Sequence, residues 1–254
     1  MQRIVSKDNE IIKHAKKLKD RKYRKQHGEY IIEGIKLIKE AIQENVEIEQ
    51  IIICESCEKT EIIPKEIIYN LAKKECILVP EKIFENITGV VNPQGILAIV
   101  RMDEKKQEIN YDEDIIIALD NIQDPGNLGT IIRTVDSVGL TQIFVSKGTV
   151  DAYNEKVIRS TMGAIFRVKI IECENLQEDL QKLKKHKFEV LVTSLQTNKS
   201  IYDIKYSKKV IVIGNEANGV SEEIQKLADK KIKIPMLRKN RKLKCICCNR
   251  SYFV

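Results

Sequence analysis

Two short apolar runs without alternation limit the fold more than anything else in the chain: Ile115-Ile116-Ile117-Ala118-Leu119 and Val210-Ile211-Val212-Ile213. A strand with one wet face alternates apolar and polar residues. A strand that does not alternate must be covered on both faces, as inside a parallel sheet. QIFVS, FRVKI and FEVLVTS lie between these runs, each separated from the next by a helical pattern. Successive strand–helix–strand units predict an α/β domain with a parallel sheet.

The first half also alternates strands and helices, on a smaller scale. DNEIIKHAKKLKDRKYRKQHG predicts an opening helix, with Asp8 or Asn9 as cap and Ile11, Ala15 and Leu18 on one face. Its other faces carry Lys13, Lys16, Lys17, Lys22, Arg24 and further cations, with Asp20 the one acid among them. The cluster reads as a solvated helix face or, since so one-sided a cluster repels itself unless phosphates offset it, as a contact for an RNA backbone. GIKLIKEAIQEN and KEIIYNLAKK predict helices, and IEQIIIC and ILVP predict strands. Asn92-Pro93-Gln94-Gly95 predicts a turn feeding the strand in GILAIVRM. The expected organisation is a small α/β domain over 1–102, a polar linker over 103–113 and a larger α/β domain over 114–237. Residues 238–254 form a tail of different character.

That tail changes how the net charge of +7 reads. Six of the 44 Lys and Arg fall in it (Arg238, Lys239, Arg241, Lys242, Lys244, Arg250), and the rest of the chain is close to neutral against its 37 acids. Global charge therefore argues little for nucleic acid; the local cluster near the N-terminus argues more. No apolar run approaches a membrane span and the start has no signal-peptide pattern, so a cytoplasmic protein is expected. Seven cysteines without a secretory signal read as reduced thiols. Cys54-x-x-Cys57 with Cys245-x-Cys247 offers four thiolates, but in a spacing that matches no compact zinc module; no metal is expected.

Two segments follow strand ends, where open parallel sheets place ligands. In ALDNIQDPGNLGTIIRTVDSVG, Asp124-Pro125-Gly126-Asn127 is a turn that opens a helix carrying Arg133. Backbone N–H groups at such a turn can face an anion, and Asn127 and Arg133 can converge on one phosphate or ribose. In KVIVIGNEANGVSEEIQKLAD, a polar loop holding Glu216 lies between Gly214 and Gly219. The two glycines would let an adenine or ribose approach the backbone. Glu216 reads equally as a loop-bracing carboxylate. The spacing is not the dinucleotide fingerprint.

In this order the segments resemble a known family. DNIQDPGNLGTIIRTVDSVG is similar to motif 1 of the SpoU (TrmH) RNA 2′-O-ribose methyltransferases of the SPOUT superfamily. IVIGNEANGVSEE is similar to motif 2, and IPML to the opening of motif 3. YNEKVIRSTMGAIFRV resembles the stretch these enzymes share between them, and the first half resembles their RNA-binding domain of L30e type. The resemblance implies a catalytic domain with a C-terminal trefoil knot, a homodimer, and S-adenosylmethionine bound in the knot. It places Asn127, Arg133 and Glu216 at active-site positions and Gly214 and Ile234 at backbone positions that hold the cofactor. The implied reaction is methyl transfer to a ribose 2′-OH, with ribosomal RNA ahead of tRNA as substrate.

Beyond IPML the family continues with a pattern like G-x-x-E-S-L-N-V-S-V-A-x-G; here the residues are RKNRKLKCICCNR, which share only Leu243. Read one nucleotide later, codons permitted for RKNRKLKCICCNRSYF can spell GKTESLNVSVATGVIL, the choice among them guided by the family pattern. The tail is therefore expected to be the right gene in the wrong frame from about Leu237, leaving the knot incomplete and the chain weakly active or inactive. Two rivals stand beside this reading. One is a non-catalytic RNA-binding protein that has lost motif 3; the other is an unrelated α/β enzyme binding NAD or ATP at loop 214–219.

Overall fold

The structure, a computed structural model, describes residues 1–59, 76–102 and 108–235. It forms two compact units, one drawn from Met1–Glu104 and Tyr153–Phe166, the other from Lys105–Ala152 and Arg167–Val254. The expected helix KEIIYNLAKK, part of the 103–113 linker and the tail 238–254 lie outside the described residues.

The first unit runs β1 (Gln2–Arg3), α1 (Glu10–Lys17), α2 (Arg21–His27), β2 (Glu29–Glu33), α3 (Ile35–Gln43), β3 (Ile48–Cys54), α4 (Glu55–Lys59), β4 (Cys76–Val79), α5 (Glu81–Ile87) and β5 (Ile96–Arg101). Its sheet has the order β1-β4-β3-β5-β2. β1 and β3 run parallel to β4, while β5 is antiparallel to both β3 and β2. One face buries Ile12, Ala15 and Leu18 from the first helical segment and Ile83, Phe84 and Ile87 of α5 against Ile52, Leu97 and Ile99. Asn9 caps α1, accepting from Ile11 N at 2.9 Å. The single helix expected here is two, because the Asp20 side chain accepts from Tyr23 N at 3.0 Å and starts α2 afresh. A cap of this kind contributes about 1 kcal/mol, enough to choose a break in a segment rich in mutually repelling cations. β2 was not foreseen: EYIIE is short, and only its pairing with β5 makes it a strand.

The other elements are β6 (Ile115–Asp120), α6 (Pro125–Ser137), β7 (Gln142–Ser146), α7 (Glu155–Thr161), β8 (Lys169–Cys173), α8 (Leu176–Lys185), β9 (Glu189–Thr193), β10 (Lys209–Gly214), α9 (Glu222–Leu227) and β11 (Lys230–Ile232). α7 belongs to the first unit, whereas the six strands form one sheet of the second, in the order β11-β9-β10-β6-β7-β8. Every pairing is parallel. The apolar runs sit at its centre: Ile116 through Leu119 and Val210 through Ile213 are buried. Ile116, Ala118, Val210 and Val212 pack on Leu176, Leu180 and Leu183 of α8 and Ile224 of α9. α6 buries Leu128, Ile131, Ile132 and Val135, worth roughly 1.5–3 kcal/mol each. FRVKI is only partly strand. Ala164–Phe166 make a 3-10 turn and pairing begins at Lys169. The described end of the polar stretch is no free linker, since Ile109 and Tyr111 pack on the core and Gln142 holds Asn110 N and O at 3.0 and 2.6 Å.

Candidate active site

β6 and β10 are neighbours whose chains leave in opposite directions, β6 toward β7 and β10 toward the β9–β11 side. That is a topological switch point, where the outgoing loops diverge and leave a crevice. Their six-residue register runs without a shift from Lys209↔Ile115 to Gly214↔Asp120, so both loops start at the same level.

Polar side chains tie these loops together. Asp120 is buried; its Oδ2 accepts from Ser221 N at 2.8 Å and its Oδ1 from Asn121 Nδ2 at 3.1 Å. Asn121 adopts φ 58°, a left-handed conformation Asn tolerates, and donates its backbone N–H to Ser146 Oγ at 2.9 Å. Asn215 donates Nδ2 to Asn121 O at 2.9 Å, while its Oδ1 accepts from Ala217 N and Asn218 N at 2.9 and 3.1 Å. Asn215 and Gly219 also exchange backbone bonds at 3.0 and 2.8 Å. The loop therefore doubles back on its own strand. A Cβ on Gly214 would stand 2.1 Å from the Gly219 carbonyl carbon, so glycine here makes room for the returning chain. Asp120, Asn121 and Asn215 escaped the sequence reading, although Asx residues just past a strand end are a recognisable signal for such turns.

Two of the anticipated site residues meet. Asp124 caps α6 by accepting from Asn127 N at 2.8 Å, with Pro125 in the first turn. That cap sets the start of the helix and turns Asn127 toward the other loop, where its Nδ2 donates to Glu216 Oε1 at 2.5 Å. A carboxylate only accepts, so the contact fixes the amide orientation and leaves Asn127 Oδ1 as an acceptor. Arg133 sits six residues further along α6, about 9 Å along the axis. It is exposed and has no partner among the described residues.

The side of the sheet toward β11 supplies a second wall. Ser194 N donates to Ile232 O (2.9 Å), Thr197 Oγ1 to Lys231 O (3.1 Å), Lys233 N to Lys199 O (2.9 Å) and Ile201 N to Lys233 O (3.0 Å). The loop after β9 thus follows β11 past its end. At the next residue, half-buried Ile234, neither N–H nor C=O has a partner among the described residues. Backbone groups without a partner among the described residues, beside an apolar side chain, suit an adenosine, which needs both hydrogen bonds and a dry surface. These residues fit S-adenosylmethionine. Gly214 lets its loop close, and Ile234 has no backbone partner among the described residues; Met236, Leu237 and the tail lie outside them.

In the first unit, Lys13, Lys16, Lys17 and Lys22 are exposed. Lys13 lies 3.9 Å from Asp8 and 3.7 Å from Glu10. Lys17 Nζ stands 5.6 Å from the Tyr23 ring centroid. Arg24 corrects the expectation. It is only 4% exposed, and its Nη1 donates to Leu18 O at 2.7 Å and Lys19 O at 2.8 Å. Its charge closes the C-terminal end of the first helical turn-out, where free carbonyls attract a cation, and is not offered to RNA. Among the described residues no three His, Cys, Asp or Glu side chains gather as a metal site, and no helix is long and apolar enough to cross a membrane.

An α/β unit with a parallel six-stranded sheet and an Asn–Glu pair at its switch point defines a class of ligand-binding enzyme folds. Within that class, the chain belongs to the SpoU rRNA methylase family, whose model matches residues 114–243; residues 9–98 match the MRM3-like substrate binding domain. It is 30% identical over 237 residues to the 23S rRNA (guanosine(2553)-2′-O)-methyltransferase RlmP of Bacillus subtilis, covering 93% of this chain and 91% of the relative. Human mitochondrial rRNA methyltransferase 3 is 31% identical over 61% of this chain and 37% of its own length. A solved rRNA methyltransferase from Sinorhizobium meliloti with AdoMet bound superposes with a TM-score of 0.84 at 26% identity, covering 99% of this chain and 95% of the other.

Proposed function

We propose that the reaction encoded here is transfer of a methyl group from S-adenosylmethionine to a ribose 2′-OH of 23S rRNA, carried out fully by the frame-restored chain and weakly or not at all by the chain as written. The observation that carries the reading is the Asn127–Glu216 hydrogen bond, which joins motif 1 to motif 2 at the switch point in a member of the methylase family. When bound, the cofactor supplies an electrophilic methyl on a sulfonium. The chain must hold the nucleophilic hydroxyl in line and accommodate the charge that develops on it. Asn127 Oδ1, oriented by Glu216, accepts from the ribose hydroxyl. Arg133 binds the adjacent phosphate and stabilises the developing alkoxide; a guanidinium stays protonated at physiological pH and is a poor base. Lys13, Lys16, Lys17 and Lys22 contact the RNA backbone.

The same reading includes a homodimer, domains at 1–102 and 114–237, and a family trefoil knot left incomplete in the chain as written, its closing segment lying outside the described residues. It also includes a frameshifted tail over 238–254, in which six cations replace an apolar, pocket-forming segment. Burying such charges unpaired costs several kcal/mol each. The test is methyl transfer from labelled S-adenosylmethionine into 23S rRNA lacking the modification, with the chain as written and with the frame restored at Leu237. Label at a ribose 2′-O from the restored chain, and little from the chain as written, is the expected result. No transfer by the restored chain to 23S rRNA overturns the reading.

A further inference from the structure

Cys54 and Cys57 are not used by the methyl-transfer reading. They stand three residues apart where β3 passes directly into α4, Cys54 the last residue of the strand and Cys57 in the first turn of the helix. One helical turn returns both side chains to the same side of this corner. Burial first, and then the neighbouring Cys54, raise the Cys57 thiol above its ordinary range. Cys54 Sγ itself lies 3.1 Å from Ser56 Oγ.

The opposing surface is Gly95, in a left-handed conformation at φ 75° and bonded through its carbonyl to Cys54 N at 2.8 Å. A Cβ there would meet the Cβ and Sγ of Cys57 at 2.3 Å and the Cβ of Cys54 at 3.3 Å. Both cysteine β-carbons therefore lie within 3.3 Å of one point, in space kept open by the lack of a side chain on Gly95. A disulfide needs β-carbons about 3.5–4.5 Å apart, which this packing permits. Cys76 and Cys173 are also buried, one in each unit. They read as small apolar side chains.

We propose that Cys54 and Cys57 are a redox-modification site that forms a reversible intramolecular disulfide with a peroxide as oxidant. Half-exposed Cys57 reacts first. Its thiolate attacks one peroxide oxygen, the O–O bond breaks, and the released hydroxide takes up the thiol proton as water, leaving a sulfenic acid. Cys54 sulfur then attacks that sulfur; the S–S bond forms, the S–O bond breaks, and the hydroxide leaves as a second water with the Cys54 proton. Two thiols are oxidised, one hydrogen peroxide is reduced, and two waters form. Burial and the neighbouring Cys54 hold the Cys57 thiol above its ordinary range, so the first step accelerates as pH rises.

The test uses the full chain. Hydrogen peroxide is added at pH 7 and pH 9, free thiols are alkylated after denaturation, and the tryptic peptide 40–59, which holds both cysteines and no other, is weighed. The expected product lacks two hydrogens, takes up no alkylating reagent, forms faster at pH 9, and regains two alkylation sites after dithiothreitol. Cys57→Ser should leave Cys54 alkylated after the same treatment. A wild-type peptide that stays doubly alkylated, that stops at a sulfinic acid on Cys57, or that links to a tail cysteine overturns the proposal.

Discussion

Arg24 and Lys16 belong to the same basic stretch, yet their side chains have opposite fates. Arg24 folds inward onto the carbonyls of Leu18 and Lys19, while Lys16 reaches water. Arg24→Ala removes a charged donor from a buried site and should cost about 1.5–3 kcal/mol of stability, read as a lower midpoint in urea unfolding. Lys16→Ala and Lys22→Ala should leave that midpoint within about 0.5 kcal/mol and lower the slope of log affinity for RNA against log salt by about 0.7–0.9 each. Equal stability losses in all three would contradict the division between them. Arg133 extends the contrast to the candidate site. It is exposed and has no partner among the described residues, so Arg133→Ala in the frame-restored chain should unfold like its parent yet lose about 10²-fold in kcat, as when one donor to a developing oxyanion is removed. A variant chain with unchanged methylation would remove Arg133 from the chemistry. A count of cations cannot separate these roles, because facing water or carbonyls depends on where the helix breaks, and that break is set by the Asp20 cap.

At the scale of elements, Glu189 joins three parallel strands. On β9 it lies 2.9 Å from Lys209 of β10 and forms a close ion pair with Lys230 of β11. The hydrogen bond from Lys230, followed by that from Lys209, holds its carboxyl below the usual carboxylate range. A depressed folded-state pKa contributes stability that is present above the unfolded value and is lost as pH falls through the folded one. Glu189→Gln should therefore be less stable at neutral pH, by about 0.2–1 kcal/mol because water screens the pair, and the difference should close in acid below the ordinary carboxylate range. Unfolding curves at neutral and acid pH measure it; a gap that widens in acid would contradict the assignment. The β10–α9 loop makes a different demand. Gly214→Ala places a Cβ against backbone, which cannot yield as a side chain would, and should cost about 1–3 kcal/mol while loosening Glu216 from Asn127. Calorimetry and S-adenosylmethionine titration on one preparation of the frame-restored chain would show both losses together.

At the scale of the molecule, the two units place exposed cations on one and the switch-point crevice on the other. The six cations of the tail add charge without the family pattern. Against the frame-restored chain, the chain as written should therefore bind RNA with a steeper salt dependence and methylate it less; filter binding at several salt concentrations beside the methyl-transfer assay would show it. Parallel strands as steeply apolar as Ile115 to Leu119 could be recognised from their residues alone, since only two covered faces stabilise them. So could motif 1, the Asn9 cap and the turn before β5. β2 and the start of β8 could not, because short strands are decided by their neighbours in the sheet. Nor could Arg24, whose surroundings come from the fold. The sequence by itself determined two α/β units, the family, and the residues Asn127, Glu216 and Arg133 as the ones to watch. Only the tertiary structure decided that Asn127 and Glu216 touch across 89 residues of chain, that Gly214 serves its own loop, and that Asp120 and Asn215 hold the two loops in place. The reason is physical: hydrophobic pattern is a local property that survives in one dimension, whereas a hydrogen bond between loops exists only once the register of β6 and β10 has fixed where both begin.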